Sequence, residues 1–249
     1  MNYRPISVLS VFSKILEKVI HWKLYSYLEE NHIIYEKQFG FRKNNSTELA
    51  LLALIDKVTS AMDRRQYTLG VFLDLAKAFD TVDHDILLSK LSYYGLSGSS
   101  VASFRSYLSG RTQYVDLNKT TSELLPVTCG VPQGSILGPL MFLIYFNDIA
   151  NAVSNIQLLL FADDTNLFFS HRCINTIFSV MNADLKLIED WLRANRLSLS
   201  LKKTKYMLFG KERDTDALPL VLPTLTTGQG NIKRTSSTPF LGVILDENL

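Results

Sequence analysis

Ile156-Gln157-Leu158-Leu159-Leu160-Phe161-Ala162-Asp163-Asp164-Thr165-Asn166-Leu167-Phe168-Phe169-Ser170 is the stretch that decides the fold. It reads as two apolar strands, Ile156–Ala162 and Thr165–Ser170, with only Asp163 and Asp164 between them. Adjacent carboxylates repel, and if buried at least one would tend to hold a proton. A lone pair of this kind is more often a solvent-exposed β-turn, because Asp favours turns. The second carboxylate tips the balance. Asp74 follows Val71-Phe72-Leu73 at the end of a run, Tyr67–Leu75, whose apolar residues point to both sides as in a buried strand.

Two such strands side by side in one sheet would bring Asp74 close to Asp163. Hard oxygen ligands grouped this way suit Mg²⁺, whose charge also cancels the carboxylate repulsion. Two ions roughly 4 Å apart serve an in-line displacement at phosphorus. Asp80, Asp83 and Asp85 lie close by in the chain and read as caps or decorations of a following helix.

Outward from the hairpin, helical spacing predicts an amphipathic helix over Leu9–Leu28, with Phe12, Leu16, Val19, Leu24 and Leu28 as its stripe. Asn45 and Glu48 resemble a capping arrangement for a second helix to about Met62, with Leu51, Leu54, Ile55 and Val58 inward. A helix is expected from Ala76 to Tyr94. Gln113–Leu117 and Glu123–Thr128 are β-like, with Lys119 and Thr120 near their turn. The apolar run Leu137–Phe146 is too short to span a bilayer and reads as a buried core helix. A helix carrying Ile177, Met181, Leu185, Ile188 and Leu192 follows the hairpin, then a strand Lys205–Phe209. Residues 211–237 read as a loop and Phe240–Leu245 as a last strand. Mixed helices and strands with one tight hairpin point to an α+β fold, an antiparallel sheet backed by helices.

With 249 residues, 47% hydrophobic and 20% charged, the chain is an ordinary globular one and not a disordered one. A net charge of +2 does not by itself imply nucleic acid. Basic residues cluster at Lys37, Arg42 and Lys43, at Arg64 and Arg65, at Lys202, Lys203 and Lys205, and at Lys233 and Arg234; such clusters are more often solvated faces than phosphate sites. Cys129 and Cys173 lack metal-ligand spacing, which favours a reducing, intracellular setting. No signal-peptide pattern opens the chain, and the four histidines show no ligand spacing.

Three segments then carry a resemblance. Phe161-Ala162-Asp163-Asp164 looks like the F/Y-x-D-D box of reverse transcriptases, and Phe72-Leu73-Asp74-Leu75-Ala76-Lys77-Ala78-Phe79-Asp80 like their first catalytic-aspartate box. Gly130-Val131-Pro132-Gln133-Gly134 resembles the family's Gly-x-Pro-Gln-Gly segment. Asn2-Tyr3-Arg4-Pro5-Ile6-Ser7, Gln38-Phe39-Gly40-Phe41-Arg42, Ser109–Gln113, Leu197–Phe209 and Phe240-Leu241-Gly242 are similar to segments of the non-LTR (LINE-type) retrotransposon branch.

The resemblance implies a right-hand polymerase: fingers from residues 1–66, a palm over 67–210 with part of the fingers inserted at about 95–127, and 211–249 leading toward a thumb that is absent. It implies RNA-directed DNA synthesis with two Mg²⁺ ions, Mn²⁺ being a possible substitute, held by Asp74, Asp163 and Asp164. Phe79 would lie beneath the sugar and exclude a 2′-hydroxyl, or else simply fill the core. Gln133 and Gly134 would line the nucleotide pocket, or else form a helix-entry turn. Arg42 would grip the triphosphate, though alone it is more often a surface charge. Lys203 would protonate the leaving pyrophosphate, or be a surface lysine. Ser200 stands where many relatives carry Asn, which weakens the match around Lys203.

Partners implied are an RNA template, a DNA primer, deoxynucleoside triphosphates, and the endonuclease and thumb regions of a full-length polyprotein, acting in cytoplasm and nucleus with no membrane. Without a thumb, little processive synthesis is expected, since duplex affinity is mostly phosphate contact. Two rival readings are an RNA-templated RNA polymerase, disfavoured by Ala162 and Phe79, and a truncated, catalytically crippled remnant that at most binds nucleic acid.

Overall fold

The computed structural model describes residues 6–118, 120–210 and 221–249. Asn2–Pro5 of the first family-like segment and Lys119 of the expected turn therefore lie outside the described residues. Ser10 caps the first helix, α1 (Val11–Glu30), by accepting from Ser13 N at 3.1 Å. Of its periodic stripe, Leu24 and Leu28 are buried, whereas Phe12, Leu16 and Val19 are exposed. The second helix, α2 (Thr47–Asp63), is capped by Ser46 and not Asn45, because Ser46 Oγ accepts from Leu49 N at 3.3 Å. Strand β1 covers Tyr67–Leu73.

The helix expected from Ala76 is not there. Ala76 N is drawn to Ser198 O at 2.9 Å, Lys77 has a φ of +51°, and Asp80 N and Thr81 N both close a tight turn onto Lys77 O. Helix α3 (His84–Tyr93) starts only after Asp83, whose Oδ1 accepts from Ile86 N at 3.0 Å. Helix α4 (Gly98–Leu108) has no counterpart in the sequence reading; it buries only Phe104 and Leu108, too sparse a stripe to show a period.

Four two-residue strands follow: β2 (Thr112–Gln113), β3 (Asp116–Leu117), β4 (Thr120–Thr121) and β5 (Leu125–Pro126). They pair as β2 with β5 and β3 with β4, forming two exposed ribbons. Then come α5 (Leu137–Phe146), β6 (Gln157–Phe161), β7 (Asp164–His171), α6 (Ile174–Ala194) and β8 (Lys205–Phe209). Residues 211–220 of the expected loop lie outside the described residues. Its remainder holds β9 (Thr226–Thr227), β10 (Gly230–Asn231) and β11 (Lys233–Arg234). The single last strand expected is a hairpin, β12 (Ser237–Phe240) and β13 (Val243–Asp246), turning through Leu241 and Gly242, both at positive φ.

The chain divides into two units, Met1–Ile34 with Lys77–Asn147, and Tyr35–Ala76 with Asp148–Leu249. The second holds a five-stranded sheet in the order β11-β8-β1-β7-β6, antiparallel except that β11 runs parallel to β8. On one face, Leu54, Val58 and Met62 of α2 pack with Phe168, Met207 and Phe209 of the sheet and with Phe240 and Leu245 of the last hairpin. The other face is covered by α6, whose five periodic apolar residues are all buried and whose Phe178 meets Tyr206 edge-on at 5.7 Å. Each such side chain contributes about 1.5–3 kcal/mol by leaving water.

In the first unit, α5 buries every residue but Pro139, as a helix surrounded by others must. Helices α1 and α3 pack against it, and α4 packs against α3. No helix among the described residues is long and apolar enough to cross a membrane.

Candidate active site

In the second unit, β1 and β7 pair through Leu73 and Thr165, so one further step of that register sets Asp74 opposite Asp164. Asp74 and Asp164 line one open pocket with Asn166, Lys203, Lys205 and Phe240. The backbone of Asp74 is held from both sides: Ser200 N donates to Asp74 O at 2.8 Å, and Asp74 N donates to Thr204 Oγ1 at 3.3 Å. The strand end carrying the carboxylate is thus tied to the turn that carries Lys203.

Lys203 Nζ stands 3.4 Å from Asp74 Oδ1. That oxygen is buried and has no hydrogen-bond partner, so the contact is an ion pair without hydrogen-bond geometry. With side-chain exposures of 58% for Lys203 and 37% for Asp74, the pair contributes under about 1 kcal/mol, and the lysine can withdraw at little cost. A buried carboxylate oxygen lacking a hydrogen bond, opposite a second carboxylate, is a donor set suited to a hard divalent cation. No group of three His, Cys, Asp or Glu residues able to hold a metal is assembled among the described residues.

The hairpin tip differs from the sequence reading by one residue. Phe161 pairs with Asp164, so the two loop residues are Ala162 and Asp163. Ala162 has a φ of +57°, a left-handed conformation costing an L-residue roughly 1–2 kcal/mol. Asp163 is half-buried and is not among the pocket-lining residues, while the exposed Asp164 is. The Asp163 carbonyl accepts from Thr165 Oγ1 at 3.2 Å. Around the tip wraps the Gln38–Arg42 loop, in which the sequence points to a role for Arg42 alone. Gln38 Oε1 accepts from Ala162 N at 3.0 Å, and Gly40 comes so close that a Cβ there would lie 2.2 Å from Ala162 N. Arg42 Nη1 donates to Tyr35 O at 3.1 Å and to Gln38 O at 3.4 Å, so this guanidinium is oriented by the loop it belongs to.

The first unit carries the other candidates. Phe79 is half-buried, its ring stacked on the buried Phe142 at 4.3 Å, and Phe142 is stacked in turn on Phe146 at 5.4 Å. Such a column makes the Phe79 ring rigid. Gln133 Nε2 donates to Asp80 Oδ1 at 2.8 Å, so Asp80 orients Gln133 and caps no helix, whereas Asp83 does cap α3. Gln133 O accepts from Ser7 N at 2.7 Å. Gly134 is exposed with a φ of +100°, which glycine adopts freely.

The residue that anchors this turn is Glu17, 2% exposed, which sequence reasoning passed over as one charge in a helix. Its Oε2 accepts from Ile136 N at 2.7 Å and from Leu137 N at 3.4 Å, and its Oε1 from Tyr107 OH at 2.8 Å. The N-terminus of α5, which has no cap from its own Ile136, is thereby capped from another helix. Burial first, then the Glu17 hydrogen bond and charge, push the Tyr107 phenol up to about 12.

A reverse transcriptase (RNA-dependent DNA polymerase) family model matches residues 1–245. The chain is 31% identical, over its whole length, to the probable RNA-directed DNA polymerase from transposon X-element of Drosophila melanogaster, and 32% identical to that from transposon BS of the same fly. It spans 27% and 28% of the lengths of these two relatives. Among solved structures, telomerase from Candida albicans superposes over 95% of this chain and 37% of its own, with a TM-score of 0.63 at 14% identity, which shows a shared α+β fold. A family match across nearly every residue, with relatives similar from end to end of the chain, means that this protein belongs to the reverse transcriptase family.

Proposed function

We propose that this chain is the fingers-and-palm part of a non-LTR retrotransposon protein that extends a DNA primer along an RNA template by phosphoryl transfer from deoxynucleoside triphosphates. The observation that carries the reading is the buried, hydrogen-bond-free Oδ1 of Asp74 opposite Asp164, with the Lys203 ammonium beside it. Asp74, Asp163 and Asp164 would hold two Mg²⁺ ions, with Mn²⁺ as a possible substitute. When bound, such ions supply activation of the primer hydroxyl and stabilisation of the leaving phosphate oxygen.

The chain's own residues do the rest. Lys203 keeps a proton on Nζ at the carboxylate and delivers it to the departing pyrophosphate. Phe79, backed by Phe142, presents a stiff ring to the sugar and turns away a 2′-hydroxyl. Gln133, oriented by Asp80, offers both donor and acceptor groups to the nucleotide pocket. Gly134 leaves room for close approach, and Arg42 directs its fork to the triphosphate. Residues 1–66 belong to the fingers, and 67–210 to the palm with 95–127 inserted.

Primer extension on an RNA template with Mg²⁺ tests the proposal, using the chain within its full-length protein. Deoxynucleotide addition is expected, with Asp74→Asn and Asp163→Asn reduced to background. Extension unchanged in either variant would overturn the assignment of the metal site.

A further inference from the structure

Gln38 is 4% exposed, and its side-chain amide bonds to backbone atoms. Oε1 accepts from Gly40 N at 2.8 Å and Ala162 N at 3.0 Å, while Nε2 donates to Ala162 O at 3.4 Å. The backbone on either side is also joined to the hairpin. Phe39 N donates to Leu160 O at 2.8 Å and Leu160 N to Lys37 O at 2.9 Å, a short parallel bridge beside β6. Where that bridge ends, the Gln38 side chain continues it around the corner. It satisfies both polar backbone groups of Ala162, which at 5% exposure has little water available to do so.

An amide combines donor and acceptor at this spacing without charge at any ordinary pH, which a carboxyl group does only when protonated. The conformation it meets is the left-handed one of Ala162, and that residue sets the direction in which the chain leaves toward Asp163 and Asp164.

We propose that Gln38 is a positioning residue of the polymerase centre: its amide holds Ala162 at positive φ and so aims the two carboxylates that follow. The proposal rests on the polymerase reading above. A purely structural role would hold the loop to the sheet without altering turnover in a folded protein.

Two variants separate the possibilities. Gln38→Leu removes donor and acceptor together, and is expected to lower kcat about tenfold or more while leaving the deoxynucleotide KM within about twofold, because misplacement by a fraction of an ångström acts on the chemical step. Gln38→Glu keeps the acceptor but, when ionised, sets an oxygen against Ala162 O. Protonated, it restores the amide's pattern, and burial favours that neutral form. Its activity relative to the parent chain should therefore climb as the pH is lowered from about 8.5 to about 6. The charged groups around residue 38 are Lys37 next to it in the chain, Arg42, whose Nη1 donates to its carbonyl at 3.4 Å, and Asp163 next to Ala162; the two cations favour the ionised glutamate and Asp163 disfavours it, which moves the midpoint of the climb and not its direction.

Parent-like kcat in folded Gln38→Leu, or a pH-independent ratio for Gln38→Glu, overturns the proposal. Should the leucine variant fail to fold, the glutamate series decides alone. If the parent full-length protein extends no primer, the polymerase reading falls, and amide exchange then judges the clamp. Gly40 and Ala162 must exchange faster in Gln38→Leu, and unchanged exchange refutes it.

Discussion

Replacing Gly40 by alanine tests how rigidly the hairpin tip is held. Gly40 has no positive φ, so the requirement for glycine is one of space alone. An alanine Cβ would stand 2.2 Å from Ala162 N, 2.9 Å from Phe161 C and 3.0 Å from Ala162 Cα, all backbone atoms that cannot swing aside. Ordinary contact begins at 3.4 Å, so loop or tip must move by about 1.2 Å, the difference between those distances. Overpacking of this kind costs about 1–3 kcal/mol. At about 2–4 °C per kcal/mol for a chain of this size, melting should fall by roughly 2–12 °C. A displacement near 1 Å in a catalytic group costs on the order of 100-fold in rate. We expect Gly40→Ala to lose about that much kcat in single-nucleotide primer extension, measured well below its melting temperature.

Gly70→Ala is the matched control. Its Cβ would meet the rings of Phe168 and Phe209 at 2.9 and 3.0 Å, so it crowds the core of the same sheet without touching the tip. Similar loss of stability with kcat within about threefold of the parent is expected there. Parent-like turnover in Gly40→Ala, or equal loss of kcat in both variants, would refute the view that Gly40 fixes the position of the carboxylates.

Three further outcomes follow from the first unit. Glu17→Leu strands two helix amides and one phenol, at about 1–3 kcal/mol each less what water recovers, so denaturation should show a loss of roughly 3–5 kcal/mol and faster exchange at Ile136 and Leu137; a change under about 1 kcal/mol would contradict the cap. Tyr107 titrates near pH 12 in the folded chain against about 10 when unfolded, so the folded state keeps a proton that the unfolded state releases. Its contribution to stability is complete below about pH 10 and fades as pH rises toward 12; a difference in phenolate absorbance between the parent and Tyr107→Phe already present at pH 10 in the folded protein would exclude this. Phe79→Ala, with its support on Phe142 gone, should admit ribonucleotides in extension assays, and equal use of them by the parent would remove the gate from the mechanism.

Relations between residues close in sequence were legible before any coordinates. The stripe of Ile177, Met181, Leu185, Ile188 and Leu192 became the buried face of α6, and Lys205–Phe209 a strand of those bounds, because helical and strand periods are local properties of the chain. Asp74 at a strand end and the Asp163–Asp164 pair at a hairpin were legible for the same reason. The Ala76–Tyr94 segment was misread because a helical composition lost to a distant hydrogen bond, Ala76 N to Ser198 O. In α1, the period of Phe12, Leu16 and Val19 suggested a buried face that only Leu24 and Leu28 supply.

What only the tertiary structure decided is which polar groups answer one another across the chain. Glu17 stands between Lys14 and Lys18 and looks solvated, yet it is buried because α5 begins with donors that nothing local can satisfy. Gln38 and Gly40 carry no periodic signal at all; their identities are set by Ala162, more than 120 residues away in sequence. Asp164, and not Asp163, lines the pocket with Asp74 because the register of β1 on β7 sets it there, and a register is a property of two strands together. Sequence alone can say that a carboxylate ends a strand; which carboxylate it faces depends on a pairing between segments about ninety residues apart.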